Sequence, residues 1–232
     1  RRSSDLEILS DADDHGLMVI FHGCTLPRGW ERMYPNYAGS EAVLASENLI
    51  FSQHACDNEA FNATLHPFIR NAVGCMEFGG VFLNKRLNRG NDGGTTRRTT
   101  DIFQLATAVL FQNPIQNFAL APNNLADAPG VCIDFMKQMP TIWDETRFID
   151  GYPGRYVVLA RRHGDVWYVA AVNATAEPLK LKLSLPMLPA GDAVSVYLDD
   201  KKLQPQQKEQ KIKTDGTLQL TVQPMGGAVI VK

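Results

Sequence analysis

One change of texture, near Met139-Pro140, constrains this chain more than any other feature. On its N-terminal side, unbroken apolar runs alternate with helical patterns. Leu17-Met18-Val19-Ile20-Phe21 is apolar throughout, which is how a strand covered on both faces reads, as in a parallel sheet. Residues 72–76 and 117–121 are two further runs of this kind, and residues 101–111 between them read as a helix. Residues 4–15 read as another helix, with Ser3 or Ser4 as N-cap, Leu6, Leu9 and Ala12 on one face, and Gly16 ending it. Helices alternating with buried strands imply an α/β arrangement with parallel pairing.

On the C-terminal side the period becomes two. Residues 156–161, 167–173, 179–185, 194–198, 217–222 and 228–231 are short strand patterns. Turn signals such as Arg162-His163-Gly164-Asp165 and Asp215-Gly216 separate them. That spacing predicts an antiparallel β-sandwich. Residues 204–213 are polar and read as a solvated loop, and Asp144 and Glu145, after Trp143, as a linker or interface feature. The division is therefore an α/β region over residues 1–138 and an all-β domain over residues 139–232.

Charge and hydropathy exclude several function classes. The formal net charge is −2, which argues against a nucleic-acid or membrane-surface binder. No apolar stretch reaches the roughly 18 residues of a membrane span. Residues 1–5 run into a polar, helix-like segment rather than a signal sequence. Arg1 is not an initiator methionine, so an upstream part is expected. Cys24, Cys56, Cys75 and Cys132 form no C-x-x-C pair, which disfavours a zinc site. Their spacing leaves both free thiols and a disulfide open.

Few residues stand out as chemistry. His22-Gly23 follows the first buried run directly, where α/β folds place functional groups. It reads equally as a polar residue closing a strand. Glu41 and Glu47 are the acidic pair of interest. On a helix their spacing would turn them about 240° apart, whereas an extended strand would put them on one side. Converging carboxylates suit acid/base catalysis or a hard cation such as calcium. The plainer alternative is a surface helix with two solvated glutamates. The long loop over residues 84–100, rich in Gly, Asn and Arg, has no Walker pattern around Asp92. Trp143, Trp167 and Tyr168 read either as stacking faces for a ligand or as core.

Several segments together resemble glycoside hydrolase family 97, bacterial exo-acting α-glucosidases and α-galactosidases. They are Met18-Val-Ile-Phe-His-Gly23, Pro27-Arg-Gly-Trp-Glu-Arg-Met-Tyr-Pro-Asn36, Glu41-Ala-Val-Leu-Ala-Ser-Glu47, His66-Pro-Phe-Ile-Arg70 and Trp143-Asp-Glu-Thr146. The resemblance implies the C-terminal half of a (β/α)8 barrel over residues 1–138 and a C-terminal β-sandwich over residues 139–232. The last four barrel strands would be residues 17–21, 42–46, 72–76 and 117–121, with Glu41 and Glu47 flanking the second. It implies Glu47 as catalytic acid/base, Glu41 and Glu47 as ligands of Ca2+, and His22 as a substrate-binding residue. The inverting α-glucosidase branch carries a glutamate after the strand-end histidine. Gly23 here resembles the retaining α-galactosidase branch, whose aspartate nucleophile would lie upstream of Arg1. Met33 replaces a common threonine, and Ser40, Ala42 and Ala45 replace a more usual Arg-Glu-Gly-Val…Gly setting. The expected partners are a glycoside or oligosaccharide and the upstream part of the same protein. The expected location is the bacterial periplasm or cell envelope, and the rival reading is a non-catalytic carbohydrate-binding or interaction module.

Overall fold

A computed structural model describes residues 2–24 and 26–232, with side chains from Ser4 onward. Helix α1 (Arg2–Asp14) begins ahead of both serines, which therefore fall in its first turn and not at its cap; the Ser3 side chain lies outside the described residues. Strand β1 (Val19–Phe21) pairs in parallel with β2 (Tyr37–Ser40). Ser40 then makes a parallel bridge to Met76. Leu9 of α1 packs with Trp30, Tyr37 and Phe21 against this pair. Helices α2 (Asn48–Phe51), α3 (Gln53–Leu65) and α4 (Asp101–Leu110) follow, then α5 (Asn124–Asp127) and α6 (Gly130–Gln138).

Among the described residues, the parallel pairing expected from the apolar runs is confined to these strands and that bridge. Residues 42–46 are not a strand, because Ala42 turns into the left-handed region at φ 43° and ends the extended backbone. In residues 72–76 only Met76 pairs, since Asn71–Val73 winds into a 3-10 turn. Residues 117–121 form no strand; a single bond, Ala119 N–H to Gly80 O at 2.9 Å, ties them to the neighbouring segment.

The C-terminal region is antiparallel. Strands β3 (Glu145–Tyr152), β4 (Tyr156–His163), β5 (Val166–Asn173), β7 (Ala193–Asp199), β8 (Pro205–Lys211) and β10 (Gly227–Val231) form one sheet in the order β3-β4-β5-β10-β7-β8. Strands β6 (Leu179–Ser184) and β9 (Thr217–Val222) pair with each other. Leu181, Leu183, Leu218 and Leu220 of that pair bury against Val158, Ala160, Val169 and Ile230 of the larger sheet. The alternate residues Val157, Leu159, Ala170, Val172 and Val229 face the other way, onto α4 and Phe135. The central strands are thus covered on both faces, and one apolar core runs across the boundary at residue 138.

Residues 204–213, expected as a solvated loop, contain β8 instead. It is an edge strand begun by Pro205 and lined with exposed Gln and Lys, a composition that discourages further pairing. Strand β3, at the other edge, replaces the expected linker. All four cysteines are free thiols. No helix among the described residues is long and apolar enough to cross a membrane.

Helix α4 joins the two regions. Thr100 caps it, its Oγ1 accepting from the Phe103 N–H at 3.1 Å and donating to Asp199 Oδ2 at 2.6 Å. Residues 102–110 are all buried. Gly227 of β10 lies so close to the helix backbone that a Cβ there would sit 2.5 Å from Ile102 O.

Candidate active site

Three acidic or basic side chains emerge at the ends of successive parallel segments. His22 follows β1, Glu41 follows β2, and Glu77 follows the bridging residue Met76. The ladder continues into them: Glu41 N–H donates to Phe21 O at 2.8 Å, and Glu77 N–H to Ser40 O at 3.0 Å. Backbone pairing therefore fixes where each side chain starts.

The side chains converge on the imidazole. His22 Nε2 lies 2.6 Å from Glu77 Oε2, and Nδ1 lies 3.6 Å from Glu41 Oε2. Glu41 Oε2 also accepts the Gly23 N–H at 3.0 Å. Both carboxylates are buried, while the imidazole is about half open, with 47% of its side chain exposed. Below them Arg70 is buried and donates to the carbonyls of Ser40, Glu41, Gly74 and Cys75. Its donors are spent holding the strand ends, not on the carboxylates.

Glu47 reaches the same place by another route. After Ala42 the chain leaves the sheet and is pinned at Ser46, whose N–H donates to Phe78 O at 3.0 Å and whose Oγ donates to Gly79 O. Glu47 follows at the start of α2, exposed. His22, Glu41 and Glu47 each offer one ligand atom, and these atoms lie within 4.8 Å of one another. The convergence expected from strand alternation is thus produced by a left-handed turn and a pinned loop.

The two carboxylates, Glu41 and Glu47, are the donors of this group that suit a hard cation; the imidazole nitrogen is not one. Calcium binds oxygens at about 2.3–2.6 Å, so ligands on opposite sides of one ion stand roughly 5 Å apart. No lysine or arginine among the described residues forms an ion pair with Glu41, Glu47 or Glu77; His22 lies against Glu41 and Glu77. Glu77 was missed in the sequence. The signal available was its position directly after the run at residues 72–76, the same logic that singled out His22. Trp167 and Tyr168 are core, and Trp143 packs edge-on against Tyr168 at 5.3 Å, so the stacking-face reading of these aromatics fails.

Residues 142–231 match the family model described as "Glycosyl-hydrolase 97 C-terminal, oligomerisation". A probable retaining alpha-galactosidase of Streptomyces bingchenggensis is 36% identical over 182 residues, covering 75% of this chain and 26% of the relative. The chain belongs to glycoside hydrolase family 97, as its C-terminal portion. A retaining alpha-galactosidase of Bacteroides thetaiotaomicron is 33% identical over 68% of this chain and 24% of its own length. The chain thus spans about a quarter of the length of these relatives. The crystal structure of a beta-arabinopyranosidase superposes with a TM-score of 0.94 at 73% identity, covering 97% of this chain and 36% of that one. A family 97 enzyme of Pseudoalteromonas sp. strain K8, solved with panose, shares the fold at a TM-score of 0.79 and 24% identity, over the same shares.

Proposed function

We propose that this chain carries the acid/base half of the active site of a retaining exo-acting glycosidase. In this reading the parallel strands belong to half of a (β/α)8 barrel, and the nucleophile comes from the upstream polypeptide. The observation that carries it is the convergence of Glu47 and Glu41 with His22 at adjacent strand ends, where barrel enzymes keep their chemistry.

Glu47 is the exposed carboxyl of the group, open to an entering substrate. It protonates the glycosidic oxygen as the upstream carboxylate attacks the anomeric carbon. It then takes a proton from the water that releases the sugar. Glu41 and Glu47 would hold Ca2+, which supplies fixed positive charge for orienting sugar hydroxyls. His22, with Nε2 on Glu77 and Nδ1 3.6 Å from Glu41, would offer Nδ1 to a sugar hydroxyl.

For substrate, the relatives named alpha-galactosidase and beta-arabinopyranosidase support one stereochemical class. β-L-Arabinopyranose has the ring configuration of α-D-galactopyranose and lacks only its hydroxymethyl group. We infer a terminal sugar of this configuration, with an α-glucoside disfavoured by Gly23. The test uses the full-length polypeptide, with nitrophenyl glycosides of galactose, arabinose and glucose to rank the sugars and alkyl glycosides of the same sugars to read acid catalysis. Glu47→Gln should lower kcat on an unactivated galactoside or arabinopyranoside by about 10²-fold or more, with product of retained configuration in the wild type. Full activity in Glu47→Gln would show that the acid/base has been misplaced.

A further inference from the structure

A cavity of about 460 Å3 opens between the turn after α3 and strands β3 and β4, lined by Phe68, Ala72, Phe148, Leu159 and Arg161 among others. None of these residues belongs to the candidate active site. The walls are mainly apolar, and Phe68 and Phe148 meet edge-to-face with ring centroids 5.8 Å apart. Phe148 is 58% exposed and marks the mouth. At the inner wall Arg161 is only 4% exposed.

Arg161 differs from the other buried arginines. Arg97 pairs with Asp101, and every nitrogen of the Arg70 guanidinium finds a carbonyl. Arg161 donates from Nη1 to Thr146 Oγ1 at 2.8 Å and Gln112 Oε1 at 3.3 Å, and from Nη2 to Leu110 O at 2.8 Å. Its Nε is buried without any partner. No carboxylate among the described residues pairs with it. Burial pushes its pKa down to about 10, which leaves it charged at neutral pH. A buried cation with no counter-charge is costly unless something completes it. Here the missing charge borders an empty space of the size that holds a small ligand.

We propose that this cavity binds a monocarboxylate with an apolar, ring-sized body. The carboxylate would sit on Arg161, and the body between Phe68, Phe148 and Leu159. The guanidinium supplies the positive charge at the inner wall, through the Nη1 edge that Thr146 and Gln112 of the same lining hold. One cation among apolar walls favours a single negative charge over a phosphate dianion.

Benzoate is the probe, titrated calorimetrically into the full-length polypeptide, with benzamide as its neutral counterpart. We expect saturable one-to-one binding of benzoate, at least tenfold weaker binding of benzamide, and a similar loss in Arg161→Met. Benzoate should also raise the thermal midpoint of the wild type and leave that of the variant unmoved. Arg161→Met removes the charge and leaves no opposite charge unpaired among the described residues, the case in which an apolar replacement strands no buried ion. Should Arg161→Met fail to fold, Phe148→Asp at the exposed mouth sets a like charge against the ligand and should weaken binding at least tenfold. Absence of saturable binding to the wild type, or undiminished binding to the variants, would overturn the proposal. Glycosidase activity is not the readout, so either result leaves the proposed function standing.

Discussion

Gly227→Ala should loosen the joint between the two regions. A Cβ at this position would lie 2.5 Å from Ile102 O, 2.7 Å from Ile102 C and 2.7 Å from Phe103 Cα, all backbone atoms of α4. Ordinary contact begins near 3.4 Å, so helix and strand must part by about 0.9 Å at the closest atom. No rotamer change relieves this, because none of the three atoms belongs to a side chain. Overpacking of a well-filled core costs roughly 1–3 kcal/mol, and this contact belongs at the upper end. The strain also falls where Thr100 and the Gly227 N–H both donate to Asp199 Oδ2. We expect about 3 kcal/mol, which is on the order of a 10²-fold faster exchange of α4 amide hydrogens if they exchange by local opening. Mass-spectrometric hydrogen exchange on the full-length protein reads this locally. Gly216→Ala is the control: its turn is open, so only the left-handed φ of 73° penalises it, by about 1–2 kcal/mol, and α4 should be untouched. An increase below tenfold for α4 in Gly227→Ala would refute the argument from close approach.

Three further outcomes follow from the same structure. Ala42→Gly should stabilise the protein by about 0.5–1 kcal/mol, since alanine at φ 43° costs more than the extra chain entropy of glycine; an unchanged urea midpoint would refute it. Glu77→Gln should lower kcat/KM about 10–100-fold by freeing His22 while leaving the thermal midpoint within a few degrees, and an unchanged rate would remove Glu77 from the site. Asp199 and His66 should show opposite pH dependences. Burial raises Asp199 from 3.8 to about 6, so the unfolded chain releases that proton first and stability falls by about 2 kcal/mol as pH rises from 4 to 6. Burial between the Phe78 and Phe111 rings lowers His66 from 6.5 to about 4, so the unfolded chain takes up a proton first and about 3 kcal/mol is lost as pH falls from 6.5 to 4. The two trends largely cancel in the wild type. Asp199→Asn should therefore expose the histidine's slope and His66→Phe the aspartate's, in urea titrations across this window; parallel pH profiles for all three proteins would contradict both assignments.

What the sequence reveals about this site depends on whether the cause is local. His22 is legible because a run of five apolar residues ends at it, and a strand end is a place where side chains become available. The central strands β4 and β5 are legible for the same reason. Edge strands β3 and β8 are not, because an edge needs polar residues and those look like loop. The convergence of Glu41 and Glu47 was foreseen as alternation along a strand between them. It arises instead from Ala42 adopting a conformation that glycine ordinarily takes, at a position where the family resemblance expects glycine. An alanine does not announce φ 43°; only the tertiary pins at Ser46 on Phe78 and Gly79 make that turn necessary. Glu77 illustrates the same limit from the other side. Its segment is too irregular to read as a strand, yet one bridge at Met76 suffices to aim it at His22. Arg161 is further still from the sequence pattern. Nothing in Leu159-Ala160-Arg161-Arg162 says that the first arginine turns inward to a cavity while the second pairs with Glu145 and Asp144 at the surface. Strand alternation assigns them to opposite faces, and only α4 and the turn after α3, packed over one of those faces, make the inward one a buried cation.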